Sequence, residues 1–424
     1  MSDGSESGRR YARADTLEGM LQRGRGRGAV LAAQDPAAAA ELVYGCVRYD
    51  WRWDSVDERH LYLARLIRDL DLPHGPVVEL LAGDEDQCEW ATRILELLAK
   101  SGSTEAREAL RAYVREGEHW LDVLESVASC WPTEWWRDLA EDAYTGLDGG
   151  ERLRMDSEAG ETLRSLLGMA TAPHASRRLS DVEVTPSSRR LLTVLADPGT
   201  GEDEKGWALR LLAYRPPEPY LLALAPSLGT GDGQFPLPFL ARAVAQCGAL
   251  AVPAARSWVA DGRSWLVWIG LEVLAEHGDA FDLPVLSAHF AAEWEQHSWC
   301  GPKMLAAGLA RFGPQAAEAV PMLRRYWVRT PHSYERPAYL KALAAIDPDG
   351  LEHAYTESLW DCEADSRLLG IAGAPDLPHV RDRLAQLRDD PMEEPEVRRA
   401  AAARLGQPAQ SGHPPVNRYI PAGN

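Results

Sequence analysis

The 424-residue chain predicts an all-α fold, and three observations lead there. A short phrase returns along its C-terminal half: an apolar residue, a small one, two more residues, then a helix breaker. Behind the breaker runs a second apolar-periodic segment, often with proline in its first turn, where the missing N–H costs nothing. Few segments alternate apolar and polar residues as strands do.

Taken from the N-terminus, "LQRGRGRGAVLAA" and "YDWRWDSVDERHLYLARLIRDLDL" read as irregular helical segments, the second as a capped helix start with aromatic residues around it. "DEDQCEWATRILELLAKSG" follows, with Asp84 at a cap, Ala91 and Leu95 inside, and Gly102 at the exit. "STEAREALRAYVREG" supplies its partner helix. Residues 1–170 are therefore an N-terminal helical region. Residues 171–188, "TAPHASRRLSDVEVTPSS", read as a loop or linker.

From 189 to 406 the repeat is regular. The phrase appears as "LAYRP", "VAQCG", "LAEHG", "LARFG", "LAAID", "LGIAG" and finally "AARLG". Its small residues are Ala213, Ala245, Ala275, Ala310, Ala344, Gly370 and Ala403, at steps of 32, 30, 35, 34, 26 and 33 residues. Pro253, Pro284, Pro321 and Pro378 follow their anchors by 8, 9, 11 and 8 residues. Each period thus holds a helix, a turn, a second helix and a link. A pair of such helices cannot enclose a core alone, so neighbouring pairs are expected to stack as an α-solenoid. Residues 407–424, Pro- and Gly-rich, read as a disordered tail.

The last helix, "EEPEVRRAAAARLG", resembles the most recognisable phrase of HEAT repeats, in the variety also labelled phycobilisome-lyase-like. The likeness is specific for that helix and looser for the six preceding pairs. The segment from "LQRGRGRGAVLAA" onward resembles one that opens other bacterial HEAT-type proteins. The resemblance implies a HEAT/armadillo-like architecture. It does not fix an activity, since such families include scaffolds, adaptors, lyases and DNA-repair enzymes.

A formal net charge of −19 opposes general DNA coating or attachment to anionic membranes, because the mean field repels phosphate. No apolar run approaches the roughly 18 residues that span a bilayer. The N-terminal stretch lacks the apolar core of a secretory signal, and the six Cys contain no CxxC. The expectation is a reduced, cytoplasmic protein.

Enzyme motifs are scarce: there is no nucleophile elbow, no phosphate loop ending in GK[ST] and no HExxH. "GRGRG" (Gly24 to Gly28) has no strand before it, which argues against a dinucleotide loop. His289, Glu293 and His297 share one helical face, with Cys300 nearby. Helices offer that spacing often, so a packed histidine and a solvated glutamate are expected there, with neither metal nor cofactor.

Fifteen Trp is a high count, and second helices carry them at comparable places: Trp258, Trp294, Trp327 and Trp360. They form either a binding ladder or the filling between repeats. Arg324, Arg325 and Arg329 make "PMLRRYWVRT" the most basic second helix. Arg23, Arg25 and Arg27 could hold phosphate, or close a helix end against the acidic body.

The expected function is a non-catalytic scaffold or adaptor that binds another protein or peptide on its concave face. The candidate contacts are Trp258, Trp294, Arg324, Arg325, Trp327 and Trp360. The alternatives are a nucleic-acid protein, similar to HEAT-like alkylpurine glycosylases and using Arg23, Arg25 and Arg27, and a chaperone-like cofactor lyase. The charge balance disfavours nucleic acid.

Overall fold

A computed structural model describes residues 11–146, 186–299 and 301–406. Their regular structure is helical: among them only one isolated β-bridge, Gly229 with Pro236, departs from helix, turn and coil. No helix among them is long and apolar enough to cross a membrane. The chain divides into two compact units, one of residues 1–169 with 352–424, the other of residues 170–351.

The first unit begins with α1 (Leu17–Gln22), α2 (Gly26–Ala32), α3 (Pro36–Arg48), α4 (His60–Asp69), α5 (Gly75–Val78), α6 (Glu85–Lys100), α7 (Thr104–Glu116), α8 (Trp120–Cys130) and α9 (Arg137–Gly146). Asp84 caps α6 as its sequence predicts, accepting a bond from Gln87 N at 2.9 Å, and Ser103 caps α7 in the same way. Gly102, at φ +105°, makes the left-handed turn between them. One expectation fails here. No side chain caps α4, because Asp57 accepts the Trp53 and Asp54 N–H groups of the preceding turn instead.

The second unit holds α10 (Ser188–Ala196), α11 (Glu202–Leu212), α12 (Leu221–Leu224), α13 (Leu240–Ala245), α14 (Val252–Trp258), α15 (Ser264–His277), α16 (Leu283–Glu295), α17 (Pro302–Ala310), α18 (Val320–Arg329) and α19 (Arg336–Ile346). The first helices end where the repeated phrase places them. Ala213, Gly278 and Asp347 are C-caps, while Gly248 and Gly313 take positive φ just beyond α13 and α17. Pro253, Pro284 and Pro321 each stand in the first turn of a second helix. Contacts run in chain order, α11 to α13, α13 to α15, α15 to α17 and α17 to α19. The linker expected at 171–188 lies mostly outside the described residues. Its end is shorter than expected, since Ser187 already caps α10.

The chain then returns to the first unit with α20 (Glu352–Ser358), α21 (Ala364–Gly373), α22 (Pro378–Asp389) and α23 (Pro395–Gly406). This differs from the sequence reading, which ran one regular array from 189 to 406. Residues 352–406 join the N-terminal helices for two physical reasons. Cys362 and Met392 share one apolar cluster with Leu21, Leu63 and Ile67. Around it lies a belt of buried ion pairs: Arg25 with Glu357 at 2.6 Å, Arg65 with Asp390 at 2.9 Å and with Glu393 at 2.7 Å, and Arg367 with Glu393 at 2.8 Å. Buried arginines hold only where each is paired and its remaining donors are occupied. Here Arg367 also donates to the carbonyls of Asp361 and Cys362. The tail expected after Gly406 lies outside the described residues.

Candidate functional site

The six sequence candidates differ in burial and divide between the two units. Trp258, the last residue of α14, is only 4% exposed and belongs to the core of the second unit. Burying a whole indole is its contribution, and it cannot anchor a partner without the helix opening. Trp360 lies in the other unit, in the turn after α20, half-buried with the Arg383 guanidinium 5.0 Å from its ring.

Trp294 and Trp327 are half-buried in the second unit. The Trp294 ring stands edge-on to Trp299 at 5.6 Å and to Tyr326 at 5.0 Å. Tyr326 in turn stacks on Tyr339 at 5.2 Å. These edge and stacked contacts bind Trp294 into an aromatic cluster at the end of α16. Arg324 and Arg325 are exposed on α18, and Arg324 reaches Asp347 at 3.3 Å.

The arginines of the alternative reading are placed differently from one another. Arg23 is buried, donates to the carbonyls of Ala12 and Gly19, and lies over the Tyr11 ring. Arg25 is buried against Glu357. Neither is open to phosphate, which corrects that use of Arg23 and Arg25. Their glycine neighbours explain why. A Cβ on Gly26 would lie 1.9 Å from the Glu357 carbonyl oxygen, and Gly24, at φ +63°, faces Cys362. "GRGRG" is a docking strip between the two ends of the first unit. Arg27 alone of the three is exposed.

The helical face of His289, Glu293 and His297 is broken. α16 ends at Glu295, and His297 turns away at φ +55° toward Trp299. Among the described residues no three His, Cys, Asp or Glu side chains gather as metal ligands. Cys300 lies outside those residues.

Sequence reasoning passed over an apolar concavity of the second unit. It is a groove of about 380 Å³ across the first helices α13, α15 and α17. Ile269, Val273 and Ala275 are buried beneath it. Ala241, Ala245, Met304 and Ala307 form its sides. The floor is close because Gly308 lets α17 approach α15, where a Cβ would meet that of Ala275 at 2.6 Å. Glu272 and Glu276 stand at the rim. Burial raises the Glu272 pKa, and Trp268 partly offsets this by hydrogen bonding. Arg311 is committed inward, donating to the carbonyls of Ala275 at 2.7 Å and Gly278 at 3.1 Å. The other charged groups of the lining are Glu272 and Glu276, the latter 3.7 Å from His277 Nε2. The readable signal lay in the small residues themselves: Ala245 and Ala275 were the anchors of the repeat. Comparison with known protein families, curated proteins and solved structures finds no match for this chain.

Proposed function

We propose that this chain is a non-catalytic binding protein, a scaffold or adaptor, whose helix pairs stack as a HEAT-like solenoid. Its partner is a protein segment forming a basic amphipathic helix, received in the groove across α13, α15 and α17. The observation that carries the reading is the groove's composition, an apolar floor of small and aliphatic side chains edged by Glu272 and Glu276. A volume of about 380 Å³ takes a few apolar side chains from one face of a helix, and the acidic rim favours Lys or Arg beside them. The ordered contacts between successive first helices support the solenoid reading. Buried thiols at Cys46, Cys88 and Cys247, outside any disulfide, support a cytoplasmic setting.

Fluorescence anisotropy with a labelled peptide helix, Leu on one face and Lys on its flanks, tests the proposal. Ala245 and Ala307 are exposed, so A245F and A307F fill the groove without crowding the core. Each variant is expected to keep its melting temperature and to lose about 2 kcal/mol or more of binding, the scale of a lost anchor. E276Q weakens binding less, and high salt removes that difference. Undiminished binding by A307F would refute the groove, whereas loss confined to W294A would return the site to the aromatic cluster.

A further inference from the structure

The apolar face of the first helices continues past the groove, onto α11. Counted from the small anchor residue of each repeat, the groove-lining Ile269 and Met304 stand six places before it. Trp207 on α11 and Phe239 at the start of α13 hold the same place before Ala213 and Ala245. One place after the anchors, Glu276 and Arg311 line the groove, and Tyr214 holds that position behind α11. Equivalent positions of neighbouring repeats share a face. Two contacts bring α11 and α13 together there. A Cβ on Gly206, beside Trp207, would lie 3.9 Å from Pro238 Cδ, and the Arg242 guanidinium lies 4.2 Å from the centre of the Tyr214 ring.

Trp207 is 45% exposed, Tyr214 63% and Phe239 39%. Exposed aromatic residues are ordinary singly, but three in register beside a groove mark a contact surface. Phe239 also takes φ +68°, a left-handed conformation that bulky side chains rarely adopt, without sealing its ring in the core. Backbone strain of this kind gathers at binding sites.

Charge divides the same face. Three places before the anchors the residues are Arg210, Arg242, Glu272 and Ala307. Arg210 and Arg242 are exposed, and neither forms an ion pair among the described residues. Asp203 and Glu204 stand one turn before Trp207, at the N-terminal end of α11. Between Trp207 and Tyr214 the sign therefore runs from two arginines on α11 and α13 to Glu272 and Glu276 on α15.

We infer that the partner helix is bipolar and runs on across α11, an inference that rests on the groove reading above. Its aliphatic side chains and Lys or Arg lie over α15 and α17. Its other end sets Asp or Glu against Arg210 and Arg242, and an aromatic ring against Trp207 and Tyr214. Packed helices lie about 8–10 Å apart, so crossing four of them takes roughly 16–20 residues of helix at about 1.5 Å each.

Fluorescence anisotropy of the full chain tests this by comparing the basic amphipathic peptide with the same peptide lengthened by two helical turns carrying Glu and Phe, at one end or the other. One lengthened peptide is expected to bind about tenfold more tightly than the short one, the scale of a single added anchor. R242Q and W207A return it to the affinity of the short peptide, and Lys in place of Glu in the added turns gives no gain. Arg242 is exposed, so R242Q tests the face in a folded chain even where W207A lowers stability. A307F weakens short and long peptides alike. Binding of the short peptide with no gain from either extension would overturn the bipolar partner and leave the groove standing. A gain kept in both R242Q and W207A, or an equal gain from the Lys extension, would do the same. Failure of every peptide to bind would remove groove and extension together.

Discussion

Gly26 carries a structural role through the atom it lacks. With the Glu357 carbonyl oxygen where a Cβ would come within 1.9 Å, G26A must push α2 away from α20 and strain the Arg25–Glu357 pair. Overpacking of this kind costs about 1–3 kcal/mol, so the melting temperature of G26A is expected to fall. Gly45 in α3 is the internal control. Nothing lies within 4 Å of its would-be Cβ, and G45A is expected to stabilise by about 0.5–1 kcal/mol. Equal melts for the two variants would remove the close approach as an explanation. The sequence shows the Gly–Arg alternation plainly but not its purpose, because Arg25 and its partner are 332 residues apart. Local spacing cannot distinguish a buried ion pair from a phosphate contact when the partner comes from so distant a segment.

Among the helices, those that end at a backbone requirement were the legible ones. A glycine at positive φ or a proline in a first turn acts through its own φ, so Gly248, Gly313, Pro253 and Pro321 mark ends that hold in the structure. Side-chain direction was less legible. Trp258 and Trp294 occupy comparable places on second helices, yet one is sealed in the core and the other is half-buried. W258A is expected to cost about 3–5 kcal/mol through the cavity it leaves. W294A should cost less, since part of that ring already meets solvent. Chemical denaturation of both variants measures the difference, and a smaller loss for W258A would contradict its core placement. The groove escaped notice for a related reason. Ala245 and Ala275 read as anchors of the repeat, and only three helices seen together show the hollow between them.

At the scale of the whole molecule, the first unit is closed by buried charge joining the two ends of the chain. Glu393 is raised by burial but lowered more by Arg367 and Arg65, and its net pKa lies below the usual carboxylate value. Asp390 is likewise depressed, Arg65 and Arg68 outweighing its burial. A depressed folded-state pKa gives stability that is present above the unfolded value, about 4, and is lost as pH falls through the folded one. Glu58 and Glu96 act in the opposite sense, because burial raises them and their protonation favours the fold. The ion-paired groups are expected to dominate, so thermal melts should fall steeply below pH of about 4. E393Q, which leaves Arg367 buried beside a neutral group, should lose about 3–5 kcal/mol at neutral pH and flatten that acid dependence. An unchanged acid profile in E393Q would show that the belt does not set it.

The proposed partner site is tested most directly by hydrogen–deuterium exchange of the full chain with and without the basic amphipathic peptide. The account predicts added protection concentrated in α13, α15 and α17, absent when A307F replaces the parent chain. Protection confined to α16 and α18, around Trp294 and Trp327, or no protection while the peptide is bound, would contradict it.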